Sequence, residues 1–445
     1  YMDLLEFYGP IPWIDSPFEP DYADWNKLTR QTYDEIATII DYECMDVVNS
    51  GVLPNRRSSA EAEFISNGVA LAIRARVLLN NASPLNNTDN DLNNWKRAAD
   101  AAQDVINLPE YHLVAMADYK TLFVGSFRTD IPEIIWRSPS DDKHINNTNG
   151  LNIAPYPYAS IPALWNCGES PTQELIDCFE MTNGALPVTY NDATHTNVTI
   201  NPSAAAAGYG ESTGGNPYAN RDARFDVDIL YNGANYGAPT NCTQPVIVES
   251  YVGGAHGFND NIYQETKTSC TGYYSRKDKD VRFWGPNQSF LGPDIHWVFF
   301  RLAEFYLDKA EALCEYGDLE GAKVALNVIR QRALQPNIEN VPDFSNTQAF
   351  LRERIRNERR VELCLEGWRF HDQRRWKILD QTNRLITGLR ITVAATGPDG
   401  KPTSFNYQRV KLRDYQSYTN KYLVMPIPID DAKKMTGLIQ PEAWR

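Results

Sequence analysis

The sequence predicts a mainly α fold in which tetratricopeptide-like helical hairpins carry a large loop-rich insertion containing short strands. Three observations predict it. Apolar residues recur three and four positions apart near both ends of the chain, the spacing of one helix face. Gly, Pro and polar runs break these stretches where paired helices must reverse. Residues 110–300 have a different character, rich in Gly, Pro, Asn and Tyr.

Residues 1–9 read as the last turns of a helix, stopped by Gly9 and Pro10. A chain that begins inside a helix, with neither an initiator Met nor a signal segment, is expected to lack its natural N-terminus. Residues 28–50 form the next helix, with Leu28, Tyr33, Ile36, Ile39 and Ile40 as apolar positions. Another, 60–81, runs through Ala62, Ile65, Val69, Ala72 and Val77. After a polar turn over 81–94, a third sets Trp95, Ala98, Ala99, Ala102 and Ile106 on one face. Helix, turn and helix with small Ala contacts is the tetratricopeptide-like pattern.

The same unit returns late. Residues 301–316 align Leu302, Phe305, Tyr306, Ala310 and Leu313, and Gly317-Asp318 stops that helix and caps the next. Residues 319–333 align Leu319, Ala322, Leu326, Ile329 and Ala333. A long helix over 347–366 has Leu351, Ile355, Val361 and Leu365 as its apolar face. Its Glu353, Glu358, Glu362 and Glu366 interleave with Arg352, Arg356, Arg359 and Arg360, the pattern of pairing along a helix surface. Residues 1–109 and 301–380 are thus the scaffold of one domain, 110–300 an irregular ligand-binding insertion, and 381–445 a loop-rich C-terminal segment. Within the insertion, 225–231 and 244–250 read as strands.

Composition narrows the function. The chain has 445 residues, 57 acidic against 43 basic, for a net charge of −14. That balance repels nucleic-acid phosphates, and no concentrated basic face is visible. The longest apolar run, 69–73, falls far short of the ~20 residues a membrane-spanning helix needs. None of the seven cysteines has metal-finger spacing, and an odd number cannot all pair. Cys314 and Cys364 fit helical cores; Cys167 with Cys178, or Cys242 with Cys270, could pair in an oxidising compartment.

Motifs of catalysis fail on context. Gly210-Glu-Ser-Thr-Gly214 matches a nucleophile elbow, but no strand precedes Ser212 and no helix follows it. Asn87-Thr-Asp89-Asn-Asp91 starts like a calcium loop, yet Leu92 and Ala98 occupy the Gly and bidentate-acid positions. The six histidines are scattered and phosphate-binding glycine loops are absent. No catalytic residue, metal ligand or cofactor is expected.

Aromatic residues are the remaining signal. Tyr, at 24, outnumbers Phe, at 17, and 11 of the tyrosines fall between Tyr156 and Tyr274. Flat rings with polar tips suit sugars, whose C–H faces stack on Trp and Tyr while their hydroxyls need polar partners. Trp13 lies in a Pro-rich loop, and Tyr156, Tyr158 and Trp165 in a Pro-rich stretch. Tyr251, His256, Asn259, Asn261 and Tyr263 share a Gly-rich loop, and Trp284 precedes Gly-Pro. Trp13, Trp165, Tyr251, His256, Asn259, Tyr263 and Trp284 are therefore the expected ligand contacts.

Eight segments, in order along nearly the whole chain, resemble the SusD/RagB family of surface nutrient-binding lipoproteins. They are Tyr8-Gly-Pro-Ile-Pro12, Asn81-Ala-Ser-Pro-Leu-Asn86, Ser170-Pro-Thr-Gln-Glu-Leu-Ile-Asp177 with Asn183-Gly184, and Asn216-Pro-Tyr-Ala-Asn-Arg-Asp-Ala-Arg-Phe225. Thr271-Gly-Tyr-Tyr-Ser-Arg-Lys277 and Arg301-Leu-Ala-Glu-Phe-Tyr-Leu-Asp-Lys-Ala-Glu-Ala312 follow. The last are Glu358-Arg-Arg-Val-Glu-Leu-Cys-Leu-Glu-Gly-Trp-Arg-Phe-His-Asp372 with Arg375-Trp376, and Met425-Pro-Ile-Pro428. The resemblance implies a non-catalytic lid on a SusC-like TonB-dependent transporter, capturing glycan, or peptide as in RagB, at the extracellular face of the outer membrane. It also implies an N-terminal lipidated Cys, which this chain lacks. By the same resemblance, Glu362, Glu366, Arg369 and Asp372 form buried or half-buried pairs that lock the last helices, and Tyr273 to Lys277 is structural.

Overall fold

The structure is a computed structural model and describes residues 1–18, 25–124, 130–138, 170–238, 244–258, 268–277, 297–382, 385–415, 419–435 and 437–445. Four helices open the chain: α1 (Met2–Tyr8), α2 (Tyr33–Asn49), α3 (Asn67–Ala82) and α4 (Leu92–Ile106). Short α5 (Gln173–Ile176), α6 (Pro202–Ala206) and α7 (Phe225–Asp228) lie in the insertion. The scaffold resumes with α8 (Leu302–Tyr316), α9 (Leu319–Arg332), α10 (Gln348–Glu362) and α11 (Trp368–Arg375).

Caps set the helix ends. Thr32 and Glu35 form a reciprocal capping box at α2, so that helix starts five residues later than periodicity predicts. Ser66 accepts the Val69 N–H at α3, Asp91 that of Asn93 at α4, and Asp318 that of Gly321 at α9. At α8 the left-handed Gly317, φ 102°, supplies the stop. The predicted 347–366 helix ends early, at Glu362, because Leu365 (φ 62°) and Gly367 (φ 87°) turn the chain into α11.

Two cores share one helix. The first packs α2, α3 and α4 against Leu302, Phe305 and Ala312 of α8; Ala98, Ala99, Ala101 and Ala102 make α4 thin enough for close approach. The second packs Ala303, Leu307, Ala310 and Cys314 of α8 against α9 and α10. Cys314 and Cys364 are buried free thiols, as their apolar settings predict.

Among the described residues the strands form five antiparallel pairs: β1 (Ile134–Arg137) with β8 (Val298–Arg301), β2 (Val188–Tyr190) with β3 (Val198–Ile200), β4 (Ile229–Leu230) with β7 (Tyr274–Ser275), β5 (Asn235–Gly237) with β6 (Val246–Ile247), and β9 (Leu385–Thr396) with β10 (Pro402–Asp414). Two expectations are corrected. Residues 225–231 form a helical turn followed by a two-residue strand; Asp222 bends the chain into the turn by accepting the Arg224 N–H on its carboxylate and the Phe225 N–H on its carbonyl. Residues 381–445, expected to be loop-rich, hold the longest hairpin. Leu385, Thr387, Leu389 and Ile391 alternate into the core along β9, and Gly397-Pro-Asp-Gly400 makes its turn.

A third correction concerns charge. Glu358 and Glu362 of α10 are not on a helix surface. Glu362, fully buried, accepts from Arg301 of β8 (2.6 Å), from Arg224 before α7 (2.8 Å) and from Arg332 of α9. Glu358 holds Arg224 and Arg330 (2.6 and 2.9 Å), and Arg330 continues to Glu180 in the insertion. Arg359 pairs with Asp372 and Asp308, and Arg375 with Asp372 and Glu311. Lys277 reaches Glu366 at 2.8 Å and the Glu362 carbonyl at 2.7 Å. Glu362, Glu366 and Asp372 lock the last helices as the resemblance implies; Arg369 makes no ion pair among the described residues.

Burial alone would raise the Glu362 carboxyl, but Arg332, Arg301, Arg224 and Lys277 outweigh it and hold it well below the carboxylate range. A depressed folded-state value contributes stability that is complete above the unfolded value of about 4.3 and is lost as pH falls below it. Glu362→Gln is expected to cost about 3–5 kcal/mol at pH 7, measured by denaturant unfolding, because it leaves three arginines short of a counter-charge. The same variant should flatten the loss of stability between pH 5 and pH 3 (about one pH unit either side of that value). Equal stability of variant and parent at pH 7 would rule out this role.

Candidate ligand-binding surface

Three of the seven expected contact residues lie within the described part: Trp13, Tyr251 and His256. Trp165, Asn259, Tyr263 and Trp284, and with them Tyr156, Tyr158 and Asn261, lie outside it. Cys178 and Cys270 are free, and the partners considered for them, Cys167 and Cys242, also lie outside the described residues.

Trp13 is half-buried in the loop after α1. Its ring stacks on Tyr1 at 4.3 Å and packs against the first helical core. The Tyr1 hydroxyl donates to the Ile14 carbonyl (2.9 Å) and accepts the Ile14 N–H (2.8 Å), which fixes the loop around the indole. At the C-terminal end, the Met425 N–H bonds the Phe7 carbonyl at 2.7 Å, so α1 is held from both sides.

Tyr251 belongs to another core. It lies half-buried against the cluster of Phe179, Tyr218, Phe225, Tyr273 and Leu389, as do Tyr231, Phe405 and Tyr407. Its ring meets Phe405 at 5.4 Å; Tyr231 stacks on Tyr218 at 4.3 Å, and Tyr407 meets Tyr218 edge-on at 6.2 Å. The Tyr231 hydroxyl donates to Asp226 at 2.7 Å, and Asn406 points out between the two β10 rings to accept from Thr213 at 2.6 Å. The result is a run of half-exposed rings with amide and carboxylate neighbours. Trp13 and Tyr251 pack against separate cores and are not brought together.

His256 lies inside its loop. It is 4 % exposed, and its ring serves its own loop: Nδ1 accepts the Glu249 N–H at 2.9 Å. Its backbone N–H returns to the Glu249 carbonyl, and its carbonyl accepts the Tyr274 hydroxyl at 2.8 Å. Gly254 completes the fold of the loop, since a Cβ there would meet the Glu249 carbonyl oxygen at 2.4 Å. A Gly-rich loop with one His fits a ligand site equally well on sequence, and only its tight folding shows the His inside.

Sequence reasoning missed Tyr231, Phe405 and Tyr407. The last two stand two apart on β10 and so share one face, a signal available once 402–414 is recognised as a strand. The hairpin is seated by Arg409, which pairs with Asp177 of the insertion at 2.7 Å and with Glu211 at 2.6 Å. Burial would raise the Asp177 carboxyl, but Arg409 reverses this and keeps it ionised. Ser212 sits in a loop bend, without the strand and helix of a nucleophile elbow. Among the described residues no His, Cys, Asp and Glu groups are placed to hold a metal ion, and no helix is long and apolar enough to cross a membrane.

The sequence model of the SusD family matches residues 132–444. No curated protein matches. Among solved structures, a SusD-like protein from Bacteroides fragilis is 26% identical, with TM-score 0.77, over 99% of this chain and 77% of that one. A SusD-like carbohydrate binding protein from the same organism is 22% identical, with TM-score 0.65, over 99% and 77%. Surface glycan-binding protein A from Bacteroides uniformis is 16% identical, with TM-score 0.55, over 100% and 75%. At the lower two identities the likeness is one of fold.

His256→Ala removes the buried acceptor of the Glu249 N–H. Amide exchange at Glu249 should speed up by about tenfold or more, since a buried donor left unpaired costs about 1–3 kcal/mol. Unchanged exchange would return His256 to the list of ligand contacts.

Proposed function

The chain belongs to the SusD family, and on that premise we propose that it is a non-catalytic receptor that captures glycans at the cell surface. It delivers them, as a lid, to a SusC-like TonB-dependent transporter in the outer membrane. A lipid anchor N-terminal to this chain holds it at the extracellular face.

The observation that supports this reading most directly is the half-exposed edge of Tyr231, Tyr251, Phe405 and Tyr407. Rings fixed against a packed core are pre-organised, so stacking a sugar on them costs little side-chain entropy. Asp226, Thr213 and Asn406 supply the donors and acceptors that hydroxyls require. Trp13 forms a second contact point, and Trp165, Asn259, Tyr263 and Trp284 complete the proposed set on sequence grounds. Solved relatives with this fold carry the descriptions carbohydrate binding and surface glycan-binding. Of the acids by these rings, buried Asp177 and half-buried Glu211 are engaged by Arg409 and Asp226 by the Tyr231 hydroxyl, which favours capture over glycoside hydrolysis.

The test is affinity electrophoresis of the chain through gels containing different polysaccharides, with a peptide digest as competitor. One glycan is expected to retard the protein. Tyr251→Ala and Tyr407→Ala should each weaken that retardation roughly five- to tenfold, about 1 kcal/mol per ring. Trp13→Ala should also weaken it, with a small loss of stability from the first core. Binding of peptides with no retardation by any glycan would overturn the choice of ligand.

A further inference from the structure

A small open niche lies between β1 and the loop before α3, away from the aromatic edge. Arg56, Arg57 and Arg137 line it with Ser59, Asp130 and the isoleucines of β1. Their charges do not balance. Arg56 is paired, with two bonds to the Asp130 carboxylate at 3.2 and 2.5 Å. Arg57 gives its Nε–H to the Ile65 carbonyl at 3.0 Å, and Arg137 gives an Nη2–H to the Ser59 carbonyl at 2.7 Å. Neither makes an ion pair among the described residues. Arg137 is only 4 % exposed.

An arginine this deep ordinarily has a carboxylate partner, because a guanidinium keeps its charge in nearly every setting. Burial lowers the affinity of Arg137 for its proton; Glu63 and Asp130 act against this from a distance, and Arg56 adds to it. The niche is therefore short of negative charge, with a buried Arg137 and a half-buried Arg57 in its wall. Near it in the chain is an open ring: Phe64 is 57 % exposed, one residue before the carbonyl that Arg57 holds. The Trp136 indole N–H pins this stretch through the Glu63 carbonyl at 2.8 Å.

We propose that the niche receives the oxyanion of an acidic glycan, a uronate carboxylate or a sulfate ester, on Arg137 and Arg57, with Phe64 against the sugar ring. This assignment rests on the receptor reading and deepens it, since it names the chemical class of the ligand. The forked guanidinium donors match the paired oxygens of either group. The niche itself holds only about 10 Å³, so the head group sits at its mouth and the rest of the sugar chain lies across the surface.

The experiment is calorimetric titration of the chain, at constant ionic strength, with galacturonate, inorganic sulfate and galactose. Galacturonate and sulfate should bind saturably and galactose far more weakly. Arg57→Gln should weaken anion binding about tenfold, the loss of one charge-assisted contact. Arg137→Gln should weaken it further, with circular dichroism to confirm folding. Arg360→Gln, which removes an arginine on α10 that makes no ion pair among the described residues, should leave binding unchanged. Tighter binding of galacturonate than of sulfate assigns the niche to uronates, and the reverse to sulfate esters. No saturable anion binding, or equal losses in Arg57→Gln and Arg360→Gln, overturns the proposal. If glycans retard the chain in gels but neither anion binds, the niche fails and the receptor reading stands. If the anions bind at Arg57 but no glycan retards the chain, the oxyanion site stands and the receptor reading fails.

Discussion

The fold depends on keeping one carboxylate, that of Glu362, charged in the interior. A lone buried carboxylate is too costly to persist, so helix α10 can occupy the centre only if positive groups converge on it. Arg301, Arg224 and Arg332 come from three separate elements to do so. Each arginine then needs further acids, and the network spreads through Glu133, Glu358, Glu366 and Asp222. Such a lattice is weak as a source of stability, since a well-packed apolar core of the same volume does as well. What it supplies is register: β8, α7 and α9 meet α10 with their charges matched in one alignment only. Arg224 and Lys277 belong to the insertion, so the same lattice seats the loop-rich part on the scaffold.

The helices were legible because their cause is local. Apolar spacing marks α2, α3, α4, α8 and α9, and Asp318 beside Gly317 marks a turn by chemistry alone. The burial of α10 was not legible, because alternating Glu and Arg read the same whether a helix pairs with itself in water or with strangers in a core. Only Val361 and Leu365, set among the charges, hinted that more than one face is covered. The C-terminal hairpin was legible in principle. Its Pro-Asp-Gly turn and its alternating Leu, Thr and Ile are ordinary hairpin signals, masked by the Gly and Thr content around them.

The ligand surface was harder to read for a physical reason. Tyr and Trp serve burial and stacking with the same atoms, and composition cannot divide the two uses. Tyr218 and Tyr273 are core residues, while Tyr231, Tyr251 and Tyr407 stand at the edge of the same cluster. The division follows from where the hairpin β9–β10 closes over the insertion, a contact between segments far apart in sequence. His256 shows the reverse case, a polar residue in a flexible-looking loop that is consumed by the loop itself.

A chain with net charge −14 makes a poor general attractor of anions, and this sharpens the meaning of the arginine niche. Beyond a Debye length, about 8 Å at physiological salt, the surface charges that oppose an approaching acidic polymer are screened. Inside that distance, what the polymer meets is the local arrangement, and at the niche that arrangement is two guanidiniums without carboxylate partners among the described residues. Specificity then comes from contrast. A neutral sugar gains nothing from the niche. On the proposed reading, aromatic edge and arginine niche select for different properties of one ligand, ring faces at the first and charge at the second. A surface that is acidic overall makes the second requirement stricter than an evenly charged one would.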